Sequence, residues 1–191
     1  MSFPDKKYKV IYADPPWSYN NTSVGAKSDN YEAAAVKHYQ TLSLDEICKI
    51  PVWDLADKDC VLFLWATTPL LDEAFEVMRE WGFTYKTAIY WRKIMSLGMG
   101  YWFRGQVEVC LVGITGNVKA FHLQTPNFFQ SKAGRHSEKP REIRGLINEI
   151  SLKQNLLPKI ELFARERIEG WDCWGNELPT SEQKLLFSID I

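Results

Sequence analysis

Continuous apolar runs alternate along this chain with segments whose apolar residues return every three or four positions. The runs read as strands, over residues 8–13, 60–65, 85–91, 107–114 and 159–163. Cys60-Val61-Leu62-Phe63-Leu64-Trp65 contains no polar position, the pattern of a strand covered on both faces. Helical periodicity takes over in between. Ser43-Leu44-Asp45-Glu46 is a capping-box pattern that opens a short helix ending before Pro51. Residues 69–81 carry apolar side chains at Leu70, Leu71, Ala74, Phe75, Val77, Met78 and Trp81, and Gly82 stands where such a helix stops. A further helix over 140–152 has Pro140 in its first turn, where a missing N–H is tolerated.

Apolar strands alternating with helices predict an α/β architecture, a mostly parallel central sheet with helices on both faces. Two polar stretches, 18–38 and 122–137, break the alternation and read as long loops, a class of segment that tends to carry function. No repeat, linker or low-complexity tract divides the 191 residues, so one domain over 1–191 is expected. In open parallel sheets ligands sit beyond the carboxyl ends of the strands. That rule singles out Asp14-Pro15-Pro16-Trp17, the strand end Trp65-Ala66-Thr67, and Glu161-Leu162-Phe163-Ala164-Arg165.

Composition narrows the classes. A formal net charge of −1 excludes a protein that coats nucleic acid by charge alone, so any such contact needs a local basic patch. Aromatic content is 14% with eight tryptophans, which suits a core and equally suits flat ligands such as nucleobases. Cys48, Cys60, Cys110 and Cys173 form no C-x-x-C pair, and with His38, His122 and His136 they give no zinc spacing. Reduced thiols and no metal are expected. Residues 1–9 are polar and charged, and no later stretch is long enough to span a bilayer, so a soluble cytoplasmic protein is expected.

Asp14-Pro15-Pro16-Trp17 has two readings. As structure, it is a proline-stiffened strand end, because neither proline can donate to a ladder. As chemistry, it fits an exocyclic amino group on a base, a poor nucleophile whose lone pair is delocalised into the ring. Methylating that nitrogen requires acceptors for both N–H hydrogens. A carboxylate and a backbone carbonyl of fixed direction supply them, with an aromatic residue packed on the base, and no covalent intermediate is needed.

Three more stretches follow in order. They are Trp102-Phe103-Arg104 with Glu108-Val109-Cys110-Leu111-Val112-Gly113-Ile114-Thr115-Gly116-Asn117; His136-Ser137-Glu138-Lys139-Pro140-Arg141-Glu142-Ile143; and Ile160-Glu161-Leu162-Phe163-Ala164-Arg165 with Trp171 and Trp174-Gly175-Asn176-Glu177. Together with D-P-P-W these resemble the MT-A70 family of S-adenosylmethionine-dependent N6-adenine methyltransferases, in its compact prokaryotic or phage form, from Val10 to Glu177.

The resemblance implies a Rossmann-like methyltransferase fold and gives each motif a role. Asp14 and the Pro15 carbonyl accept from the adenine amino group, Pro16 stiffens the turn, and Trp17 packs on the ring. Lys139 contacts the cofactor carboxylate, while Asp14, Phe163, Arg165, Asn176 and Glu177 complete the S-adenosylmethionine site. Arg167 and Glu177 stand where the best-known eukaryotic members have histidine and glutamine. No G-x-G-x-x-G loop is present. Tyr39 and Trp91 hold the family's base-stacking positions, and each reads equally well as a core aromatic. Arg92, Lys93, Arg104, Lys132 and Arg135, with Lys139, Arg141 and Arg144 behind them, read either as a phosphate-binding rim or as ordinary surface charge.

The expected activity is methyl transfer to adenine N6 in nucleic acid, with DNA preferred and RNA as the alternative. N4-cytosine methylation and a non-catalytic adaptor role are further alternatives, the latter disfavoured by an intact Asp14. The target sequence is expected to be read either by the two long loops, 18–38 and 122–137, or by a second subunit, a homodimer partner or a separate chain.

Overall fold

The computed structural model describes residues 3–18, 41–94, 102–134 and 138–178. A seven-stranded sheet organises them, in the order β5-β3-β4-β2-β1-β6-β7. Its strands are β1 (Tyr8–Ala13), β2 (Ala56–Thr67), β3 (Thr84–Ile94), β4 (Val107–Thr115), β5 (Phe128–Lys132), β6 (Lys159–Leu162) and β7 (Asp172–Trp174). The helices are α1 (Leu44–Cys48), α2 (Leu71–Glu80) and α3 (Arg141–Lys153). Parallel pairing joins β1 to β2 and β6, β6 to β7, and β3 to β5. Strand β4 runs against both neighbours, β2 and β3.

The apolar run in β2 explains why two layers cover the sheet. Cys60, Leu62, Leu64 and Ala66 face one core, where Ile47 of α1 and Ala74, Val77 and Met78 of α2 pack. Val61, Phe63 and Trp65 face the other, closed by Ile143, Ile147 and Ile150 of α3. The 3.6-residue period of each helix thus meets the two-residue period of the strand.

The helix ends follow the expected chemistry. Ser43 and Glu46 form both halves of the capping box. Gly82 takes φ +82°, and the Phe83 N–H donates to the Met78 carbonyl at 3.0 Å, closing α2 in a Schellman turn. Pro140 caps α3 rather than lying inside it.

Two strands arise where no strand pattern exists. β5 falls in the stretch expected to be a loop, and β7 is three residues long. Among the described residues no helix is long and apolar enough to cross a membrane.

The topology sets the site. β1, β2, β3 and β6 all end on one edge, and the reversal of β4 brings its beginning there as well, with Glu108 opposite Thr67.

Candidate active site

The Asp14-Pro15-Pro16-Trp17 turn leaves β1 at that edge. The Trp17 N–H donates to the Pro15 carbonyl at 2.9 Å, a three-residue turn about Pro16, whose ring pre-sets the required φ. The Leu42 N–H donates to the Pro16 carbonyl at 2.9 Å, and the Ser18 N–H to the Leu42 carbonyl at 3.1 Å. Below, the Trp17 indole N–H donates to the Trp65 carbonyl at 3.0 Å. At about 1 kcal/mol each, these bonds fix the direction of the Pro15 carbonyl without using both of its lone pairs. The rigidity expected of the prolines is therefore built by the turn as a whole.

Asp14 is the outer member of a chain of charges. The Lys139 Nζ lies 2.8 Å from Asp14 Oδ2 and 3.3 Å from Glu108 Oε2, and Lys93 bonds the other Glu108 oxygen. Lys139 and Glu108 side chains are 12% and 7% exposed, against 26% for Asp14, so the acid is the member most open to solvent. Burial pulls the Lys139 ammonium down, but Asp14 and Glu108 outweigh it and hold its pKa above the ordinary lysine value. The ammonium also sits 5.5 Å from the Trp65 ring centre, and the Lys93 ammonium 5.3 Å from that of Trp91. Cys110 lies behind this network, fully buried, and desolvation pushes its thiol far up, which removes it as a nucleophile.

The second arm of the edge is the end of β6. Phe163 adopts φ +60°, turning the chain so that the Ala164 N–H donates to the Trp174 carbonyl at 3.0 Å. Gly175 makes that approach possible, since a Cβ there would lie 2.3 Å from the Ala164 carbonyl oxygen. Beyond this crossing Asn176 and Glu177 are exposed, and Arg165 comes within 3.8 Å of Glu177.

An ammonium beside Asp14, with amide, carboxylate and guanidinium groups on the adjoining strand end, fits a zwitterionic cofactor bearing a ribose. Lys139 would meet its carboxylate, and Asn176 and Glu177 its amine or hydroxyl groups. Among the described residues no cluster of three or more histidine, cysteine, aspartate or glutamate side chains could hold a metal ion.

Several sequence expectations change here. Trp17 is 8% exposed and belongs to the core, which leaves little surface to pack on a base. Trp91 is wholly buried, its indole donating to Ser131 Oγ at 2.8 Å, so it offers no stacking face in this arrangement. Of the basic rim, Arg92, Arg104 and Lys132 are exposed, but Lys93 turns inward to Glu108. Arg144 also turns inward, onto Glu161 at 3.0 Å, and Arg141 pairs with Glu138 at the surface. Tyr39 and Arg135 lie outside the described residues. Glu108 received no role from sequence. A carboxylate opening the apolar run Val109-Cys110-Leu111-Val112 was the available signal, because a buried charge requires a partner.

A mostly parallel sheet with its acid, cation and second strand end on the carboxyl edge defines a Rossmann-like methyltransferase. The profile of the MT-A70 family matches residues 8–177. The chain is 36% identical to the type II methyltransferase M.MunI of a Mycoplasma species, over 95% of this chain and 82% of that protein. It is 30% identical to the human N(6)-adenosine-methyltransferase catalytic subunit METTL3, and 31% to the zebrafish METTL3 subunit. Each of these matches covers 90% of this chain and 28% of the longer protein. This chain belongs to the MT-A70 family.

Proposed function

We propose that this protein transfers a methyl group from S-adenosylmethionine to N6 of adenine in DNA. One observation carries the reading: Asp14 and Pro15 follow one another directly at the end of β1, the Pro15 carbonyl is held by the Trp17 N–H, and Lys139 is bonded to one carboxylate oxygen of Asp14. The other oxygen and the free carbonyl lone pair make two acceptors for one amino group. DNA is favoured over RNA by the similarity to a type II methyltransferase over nearly the whole of both chains.

S-adenosylmethionine, when bound, supplies a methyl group made electrophilic by its positively charged sulfur. The chain's own residues do the rest. Asp14 and the Pro15 carbonyl accept the two amino hydrogens and draw the nitrogen toward a tetrahedral shape, which restores its lone pair as a nucleophile. Asp14 need not be a strong base, because the N–H turns acidic only after the nitrogen gains its fourth substituent. Its second oxygen is then placed to accept that proton. Lys139 is supported from behind by Glu108 and presents its charge at the edge where the cofactor carboxylate would lie. Arg92, Arg104 and Lys132 supply cations for the phosphates.

A cytoplasmic location, and a second copy or partner subunit that helps read the target sequence, belong to this proposal. Human METTL3 is itself named a catalytic subunit. The test is transfer of labelled methyl to DNA and to RNA by the wild type beside Asp14→Ala, followed by nucleoside analysis. N6-methyladenine in DNA, lost in the variant, is the expected result. N6-methyladenosine in RNA alone would move the substrate, and N4-methylcytosine would move the base. Absence of label in every nucleic acid, with no cofactor binding, would overturn the reading.

A further inference from the structure

Five of the described tryptophans are closed to solvent, Trp174 is half-buried and Trp53 is 48% exposed. Trp17, Trp65, Trp81, Trp91 and Trp171 are all less than 9% exposed. Each of the five donates its indole N–H to a named oxygen. Trp102 is the opposite, at 92% exposed, and Phe103 beside it is 90% exposed. Two adjacent large aromatics held almost entirely in water forgo several kcal/mol of burial, on the order of 25 cal/mol per Å2 of apolar surface. Their place gives them a use. They precede β4, and the Lys93 N–H binds the Gln106 carbonyl at 2.8 Å, so the arm returns to the sheet beside the ends of β2 and β3. That is the edge bearing Asp14. Arg104 follows directly, and Arg92 and Lys132 stand exposed at the neighbouring strand ends.

We infer that Trp102 and Phe103 are a stacking wedge for duplex DNA, occupying the place of the target adenine once it leaves the helix. The inference rests on the proposed adenine methylation. An adenine inside a duplex cannot reach a pocket of this kind, so it must be extruded, at a cost of a few kcal/mol in lost stacking and pairing. An aromatic face set against the neighbouring bases recovers part of that cost, about 1–3 kcal/mol per stacked base. Trp17 and Trp91 are closed to that task by burial, while Trp102 and Phe103 are open to it. The cations around them favour a phosphate-bearing occupant over a second copy of a chain whose net charge is −1. They act away from the reacting atoms and are positioning residues.

The experiment compares plasmid DNA with the same DNA heat-denatured, as substrates for wild type, Trp102→Ala, Phe103→Ala and Trp102→Phe. Thermal melts and sedimentation are run on each protein. Both side chains lie outside the core, so the variants are expected to melt with the wild type. Each alanine variant should lose about tenfold or more in rate on the duplex, the equivalent of one lost stack, and far less on denatured DNA, where no base need be extruded. Trp102→Phe, which keeps an aromatic face, should recover most of the duplex rate. Equal losses on both substrates would overturn the wedge, as would no loss on either. A changed oligomeric state would reassign the patch to contact between copies. A wild type inert on both DNAs would instead remove the adenine reading and the wedge with it.

Discussion

Two clusters of half-buried charge lie within a few residues of the strand ends, and they balance differently. In the first, Lys139 and Lys93 stand against Asp14 and Glu108, two cations for two carboxylates. In the second, Arg144 faces Glu161 at 3.0 Å and the exposed Glu166 at 3.9 Å. Lys139 is held charged by its neighbours despite burial. Glu161 goes the other way: burial pushes its carboxyl above the usual range, Arg144 pulls it back only in part, and its Oε2 makes no hydrogen bond among the described residues. The Lys139 cluster opens at Asp14 onto the carboxyl edge of the sheet. The Arg144 pair ties α3 to β6 under the second core, where the guanidinium also lies 5.9 Å from the Tyr12 ring centre. Charge that is shared and open is available to a ligand, whereas charge that is closed over fastens the fold.

Removing each cation should break the comparison most visibly. Lys139→Met leaves Asp14 and Glu108 facing each other, and stability should fall by about 3 kcal/mol in urea titration, the usual loss when a buried pair is broken. Its methyl transfer should fall by about a hundredfold or more, as when one preorganised electrostatic contact is lost. Arg144→Met should cost about as much stability, because Glu161 is then buried alone. Per folded molecule, however, its methyl-transfer rate should match the wild type. Equal activity loss in both variants would erase the distinction drawn here. A smaller effect belongs to Glu108→Gln. The amide keeps the shape but leaves two cations for Asp14 alone, and kcat should drop about tenfold, the scale of one charged hydrogen bond. Steady-state kinetics at fixed cofactor would show it, beside a loss of stability smaller than that of Lys139→Met, because the amide oxygen can still accept from one of the lysines.

Much of this arrangement was legible in the sequence, for physical reasons that also mark where reading fails. The apolar runs located β1, β2, β3, β4 and β6, and the capping box and Gly82 located helix ends, because each is a local demand of the backbone. The direction of β4 was not legible, since a strand buried on both faces looks alike parallel or antiparallel. Strand β5 hid for a different reason. It is an edge strand whose residues alternate between exposed and half-buried, so backbone pairing with β3 defines it and apolar pattern does not. At the site, Asp14 and Lys139 stood in recognisable motifs, but nothing local joins Lys93 to Glu108 or Arg144 to Glu161. Those pairs exist because the sheet brings distant strands together. Tryptophan was the least legible of all. Trp91 ends a predicted strand and Trp102 stands outside one, yet only the fold shows that the first is sealed in the core and the second open to solvent.

Glu161→Gln gives the finest test of the difference between the clusters, because its effect should depend on pH and run in one predictable direction. A carboxyl whose folded pKa is raised binds its proton more tightly in the native state than in the unfolded one. The stability this contributes is fully present below the unfolded value, about 4.3 for glutamate, and is lost as pH rises through the raised folded value. Glutamine titrates nowhere in that window and keeps an oxygen for the Arg144 bond. Against the wild type, Glu161→Gln should therefore become steadily more stable as pH climbs from 4 toward 8, by about 1.4 kcal/mol for each unit of pKa difference. Urea titrations of both proteins at several pH values measure it directly. A gap that narrowed with rising pH would mean that the Arg144 ion pair outweighs burial, making the second cluster a counterpart of the first.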